Sequence, residues 1–148
     1  MNPLPQSQAT KRARVICLHG FPGHPSDWDQ LAEDVGHNYD VISLPMPWLK
    51  SVNAASLSLR QFFSYCAIMI EDHADGETHL VGHDLGGLAL WWLAQSELKN
   101  RMSSVAILSC PHPKAYRRFA RSADYASSTT YIEDIHHNPA GLKQRLHV

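Results

Sequence analysis

Residues 77–87 read ETHLVGHDLGG and run on into LALWWLAQ, ending at Gln95. Thr78–Val81 is the short apolar run of a buried strand. Gly82, Gly86 and Gly87 punctuate a tight turn, and Leu85–Gln95 has helical length and is apolar on nearly every face. At the apex of the turn stands an acid, Asp84. A strand, a strained turn and a helix in immediate succession present one side chain beyond the end of a sheet. The common form of that device, Gly-x-Ser-x-Gly, presents a serine.

Acid in place of hydroxyl changes the chemistry. A carboxylate with an ordinary pKa near 4 is ionised at neutral pH, and the start of a helix favours the negative charge. It attacks without help from a base, which serine needs. A carboxylate is a poor acyl-transfer nucleophile, yet it displaces a leaving group at saturated carbon and becomes an alkyl ester. Releasing that ester takes water, a general base and donors for an oxyanion.

Working outward, VICL (15–18) is a second apolar strand and enters HGFPG (19–23), a Gly/Pro loop. Ser26, with Asp29 in the first turn, predicts the start of a helix through Leu31, Ala32 and Val35. YDVISL (39–44) predicts a strand, followed by the proline-rich loop PMPWLKSVNAAS. Ser58 and Gln61 form a capping-box pattern ahead of Leu59, Phe62, Phe63, Cys66 and Ile70 at helical spacing. SVAIL (104–108) closes the series, and from Lys114 onward polar helices are expected. Strands alternating with helices, and strands apolar throughout, predict an α/β fold. Its mostly parallel sheet of about four strands would have helices on both faces. Such a sheet gathers its chemistry beyond the carboxyl ends of the strands. Those ends carry HGFPG, the proline-rich loop, GHDLGG and SCPHP.

The totals narrow the field. In 148 residues, 13 Lys and Arg against 14 Asp and Glu leave a formal charge of −1, so no nucleic-acid partner is expected. No apolar run reaches membrane-span length, so no membrane partner is expected either, and MNPLPQSQATKRAR lacks the apolar core of a signal peptide. Cys17, Cys66 and Cys110 sit singly, which reads as reduced, buried thiols in a cytoplasmic protein. The ten histidines show no zinc-binding spacing. Neither a metal nor another cofactor is expected. His136 and His137 read as solvated. Gly-x-Gly-x-x-Gly is absent, and no Lys-Ser/Thr follows the glycines.

Taken together, HGFPG with Trp28, VGHDLGG (81–87) and CPHP (110–113) resemble the α/β-hydrolase superfamily, specifically its epoxide hydrolase branch. The likeness covers roughly residues 14–118. It implies Asp84 as the nucleophile and the backbone N–H groups of Phe21 and Leu85 as the oxyanion hole. His19, Gly20, Pro22, Gly82, His83, Gly86 and Gly87 would form the framework of loop and elbow. Trp28 and Trp48 would be pocket walls, and Pro111–Pro113 would lead into a helical cap. A cap tyrosine would donate to the epoxide oxygen. Tyr131 stands where the resemblance places it, with Tyr116 and Tyr125 as alternatives. The substrate implied is a small apolar epoxide.

The sequence departs from the family where LPMPWLKSVNA replaces an Asp-x-Arg-Gly-x-Gly-x-Ser loop. It also reaches Val148 before the positions at which relatives carry their second acid and histidine base. The expected organisation is therefore a loose tail (1–13), a partial core (14–113) and the beginning of a cap (114–148), with a doubtful full turnover. An exposed sheet edge at SVAIL predicts self-association. Dehalogenation through the same alkyl ester is the alternative chemistry. However, Leu85 follows the nucleophile where haloalkane dehalogenases carry a Trp, and Phe21 replaces their usual polar residue. A non-catalytic remnant or interaction module is the alternative from another class.

Overall fold

The protein is described by a computed structural model that covers residues 11–47 and 57–122. Trp48, Tyr125, Tyr131, His136 and His137 therefore lie outside the described residues. The chain divides into two compact units at Cys110 and Pro111, where the sequence reading ended the core at 113.

The first unit is a four-stranded parallel sheet in the order β2-β1-β3-β4. Its strands are β1 (Arg14–Leu18), β2 (Asp40–Leu44), β3 (Thr78–His83) and β4 (Ser104–Leu108). Between them run α1 (Asp29–Val35), α2 (Leu59–His73) and α3 (Leu85–Leu93), with short 3-10 helices at Pro25–Trp28 and Glu97–Arg101. The sheet is central because successive side chains of a strand leave on opposite faces. In β1, Ile16 and Leu18 join Leu44, Phe62, Ile70, Leu80, Leu90 and Leu93 in one core beneath α2 and α3. Val15 and Cys17 point the other way, into a smaller core with Trp28, flanked by Leu31, Tyr39, Val41 and Val81. A strand buried on both faces must be apolar at every position, which is why VICL shows no alternation.

The capping box expected ahead of α2 is present. Ser58 N–H donates to Gln61 Oε1 at 2.9 Å, and Gln61 N–H donates to Ser58 Oγ at 3.3 Å. Phe63 of α2 stacks on Trp92 of α3 with centroids 5.2 Å apart, yet Trp92 stays 40% exposed. The first helical segment differs from the expectation at its start. His24, not Ser26, is the cap: its Nδ1 accepts from Ser26 N–H at 3.3 Å, and Asp27 Oδ2 accepts from His24 N–H at 3.0 Å. Pro25 explains the shift, because a proline suits the first helical position and leaves the residue before it as the cap.

Residues 11–13, expected within a loose tail, are tied to the sheet. Arg12 Nη1 donates to Gly36 O at 2.8 Å, Arg12 pairs with Asp40, Lys11 pairs with Asp75, and Ala13 O accepts from Asp40 N–H. Cys17 and Cys66 are buried as expected, whereas Cys110 is only partly so. At the other side of the sheet β4 pairs, among the described residues, with β3 alone, and Val105 and Leu108 are exposed. In the second unit the described element is α4 (Pro113–Phe119), capped by His112.

Leu90 is fully buried while Leu59 is 62% exposed. Leu90→Ala is expected to cost about 2–5 kcal/mol in chemical denaturation, and Leu59→Ala less than about 0.5 kcal/mol. Equal losses would contradict the packing described.

Candidate active site

Asp84 lies between β3 and α3 with φ 51° and ψ −116°. For a residue with a side chain this conformation costs about 1–3 kcal/mol and must be held by its surroundings. Three contacts hold it. Asp84 N–H donates to Leu108 O at 3.1 Å, tying the elbow to the end of β4, and Leu88 N–H donates to Asp84 O at 2.9 Å, opening α3. The third contact comes from the loop after β1, where Phe21 N–H donates to Asp84 Oδ2 at 3.0 Å. The carboxylate is thus turned away from capping its own helix, for it makes no side-chain capping bond, and towards a backbone donor on another strand's loop.

Close approach sets the glycines. A Cβ on Gly86 would lie 2.3 Å from Leu18 O, so any side chain there would push α3 off β1. A Cβ on Gly20 would lie 2.7 Å from Asp84 Cβ and 3.0 Å from Asp84 Oδ2, in the space the carboxylate occupies. Gly82 is the penultimate residue of β3, and Gly87 is buried in α3 against Cys110 and Ile107. The Phe21–Pro22 peptide is cis. The Phe21 side chain is 48% exposed. Leu85 opens α3, and the N–H groups of a helix's first turn have no intrahelical acceptor.

His19 supports this loop from beneath. It is 1% exposed, and its Nε2 lies 3.3 Å from Met46 N, its Nδ1 2.9 Å from Gly20 O. Met46 N–H donates only, so Nε2 must accept and Nδ1 must carry the proton that bonds Gly20 O. A neutral imidazole with hydrogen on Nδ1 fits both partners; a second proton would face Met46 N–H. Burial lowers the His19 pKa in the same sense, against a smaller raising effect of the bond to Gly20. His19 therefore ties the loop after β1 to the segment after β2. Among the described residues no imidazole is hydrogen bonded to Asp84.

Beside the elbow, His19, Asp27, Trp28, His83 and Leu108 line a cavity of about 290 Å³. Trp28 belongs to the core and to this wall at once. Its indole N–H is buried and has no hydrogen-bond partner among the described residues. Cys110, expected as a buried thiol and as the first residue of the CPHP motif, is a neighbour of Asp84. Burial raises its pKa, and the negative charge of Asp84 raises it further, so it stays a neutral thiol. Its place directly after β4, where SCPHP follows SVAIL, was the available signal. Tyr116 lies in the second unit, half-exposed on α4. Among the described residues no group of three or more His, Cys, Asp or Glu is arranged to hold a metal, and no helix is long and apolar enough to cross a membrane.

Comparison with known proteins places this arrangement. A family model described as "Alpha/beta hydrolase family" matches residues 15–144. The dihydrolipoyllysine-residue acetyltransferase component of the acetoin cleaving system of Cupriavidus necator is 29% identical over 97 residues, covering 64% of this chain and 26% of that protein. An epoxide hydrolase from Bacillus megaterium superposes with a TM-score of 0.72 at 19% identity, over 90% of this chain and 52% of its own. An epoxide hydrolase structure from metagenomes of hot environments gives 0.63 at 20% identity, over 76% of this chain and 39% of its own. The chain thus spans about half or less of the length of these relatives.

The His19 geometry fixes a pH dependence. Its folded pKa lies below the ordinary value near 6.5, so the unfolded chain takes up the proton first as pH falls. The contribution of His19 to stability is whole above about pH 6.5 and is lost as pH drops from there towards its folded pKa. Long-range proton–nitrogen spectra at about pH 7.5, above that reference value, should show His19 neutral with hydrogen on Nδ1. A charged ring at that pH, or hydrogen on Nε2, would contradict the assigned bonds.

Proposed function

This chain belongs to the alpha/beta hydrolase family, and from that membership and the elbow we propose that Asp84 opens epoxides by forming an alkyl ester. The observation that carries the reading is the Phe21 N–H on Asp84 Oδ2, 3.0 Å away, with Asp84 presented at positive φ. A donor fixed on one carboxylate oxygen leaves Oδ1 as the attacking atom. Oδ1 bonds an epoxide carbon, that carbon's bond to the ring oxygen breaks, and the ring oxygen takes a proton from an acid. Tyr131 is the proposed donor, by its position in the sequence. Oδ2 becomes the ester carbonyl oxygen, already in contact with the donor that an oxyanion needs. Water then adds at the carboxyl carbon, with Phe21 and Leu85 N–H groups stabilising the charge on Oδ2. Collapse returns the carboxylate and releases a diol.

Pre-placement matters because an N–H aimed at a developing oxyanion is worth about 2.7–4 kcal/mol in comparable acyl chemistry. The same donor costs the ground-state carboxylate little, since an anion at a backbone N–H is a favourable pair. Of the alkylating half of the cycle, the described residues would supply the attacking carboxylate and its backbone donor, and Tyr131 the proton. Deprotonation of the hydrolytic water would draw on a base other than the described imidazoles. The dehalogenase reading finds less support, because the aliphatic Leu85 side chain has no N–H with which to hold a halide. Trp28 and His83 would border the substrate beside the elbow, and the mixed apolar lining of that cavity suits a small neutral molecule.

The test is incubation of the full chain with styrene oxide, followed by product analysis and intact mass. Either a diol accumulates or one epoxide mass is retained on the chain, mapping to Asp84 and released by mild alkali as an ester should be. Asp84→Asn, which keeps the shape and tolerates positive φ, is expected to abolish both. A folded chain that gives neither diol nor an Asp84 adduct would overturn the proposal. Modification confined to cysteine would do the same.

A further inference from the structure

Beyond the elbow, a strongly basic surface among the described residues lies on α4 and the turn after it. Lys114, Arg117, Arg118 and Arg121 recur at the i, i+3, i+4 and i+7 positions that fall on one helical face. Residues 111–122 contain no Asp or Glu, in a chain whose formal net charge is −1. The four cations line a recess of about 440 Å³, and they are its lining among the described residues. None of them pairs with a carboxylate among those residues. Tyr116 and Phe119 fall on the opposite face, so the charge is sorted to one side.

Like charges three and four residues apart oppose helix formation. The carboxyl end of a helix welcomes a cation, which accounts for Arg117 or Arg118 but not for four cations in a row. Three of the four are arginines, whose planar guanidinium matches the oxygens of a phosphate group through paired N–H bonds. A recess walled by such donors offers several of them to one phosphate at once.

We propose that this basic face is a binding site for a phosphate-bearing small molecule. Its occupancy does not depend on the proposed epoxide reading.

The experiment is calorimetric titration of the full chain with inorganic pyrophosphate, at low and at raised sodium chloride, beside the Asp84→Asn chain as a control. Saturable binding that weakens with salt is expected, unchanged by Asp84→Asn. Arg117→Gln with Arg118→Gln should weaken it by about tenfold or more, and the corresponding pair of Arg→Lys changes should weaken it by less, since charge is kept but the fork is lost. Circular dichroism checks that the variants remain folded, as expected for exposed positions. Absence of saturable binding would overturn the proposal, as would equal affinity in the Arg→Gln variant. A chain that binds vesicles of anionic phospholipid but neither binds pyrophosphate nor is displaced by it would also overturn it, in favour of a membrane-surface role.

Discussion

A single backbone conformation at Asp84 determines what the rest of the site must be. At φ 51° a residue with a Cβ is strained, and three hydrogen bonds from three different parts of the fold keep it there. One comes from the end of β4, one from α3 and one from the loop after β1. The bonds from β4 and from the loop after β1 are possible only if β1, β3 and β4 are in register, since Leu108 must stand opposite His83 and Leu18 opposite Gly82. The sheet thus acts as a jig for one residue. Two crowded glycines, Gly20 and Gly86, are where that jig brings backbone against Asp84 or against the backbone of β1.

The consequence for chemistry is that the two oxygens of one carboxylate become unlike. Oδ2 is engaged by Phe21 N–H, and in the proposed reaction Oδ1 is the oxygen that attacks. The loop that supplies the donor is itself anchored by a buried, neutral His19 spanning Gly20 O and Met46 N–H. An imidazole in that role has no proton to trade, which fits a nucleophile that requires none. Cys110 illustrates the same electrostatics from the other side. Next to a carboxylate and partly buried, its thiol is held protonated and does not compete.

Much of this was legible in the residues. Unpatterned apolar runs such as VICL gave the parallel strands, because burial on both faces leaves no position free to be polar. GHDLGG between a strand and a helix gave the elbow, and Ser58 with Gln61 gave the start of α2. What the sequence hid was of another kind. The cap at His24 depended on Pro25 moving the helix start by a step, a competition between two good capping residues that composition does not decide. The neutral tautomer of His19 depends on Met46 N–H, 27 positions away, and the partnership of Cys110 with Asp84 on β4 lying beside β3. These are long-range contacts, so local pattern carries no trace of them. The basic face of α4 was present in the spacing, yet a net charge near zero concealed it.

The central claim is that Phe21 N–H selects which oxygen of Asp84 reacts. A crystal of the protein soaked in a reactive epoxide answers this directly. The account requires density continuous from Asp84 Oδ1 to the ligand carbon, with Oδ2 still about 3 Å from Phe21 N, a normal hydrogen-bond length. Attachment through Oδ2, or an adduct with Phe21 N–H turned away from the ester, would contradict it.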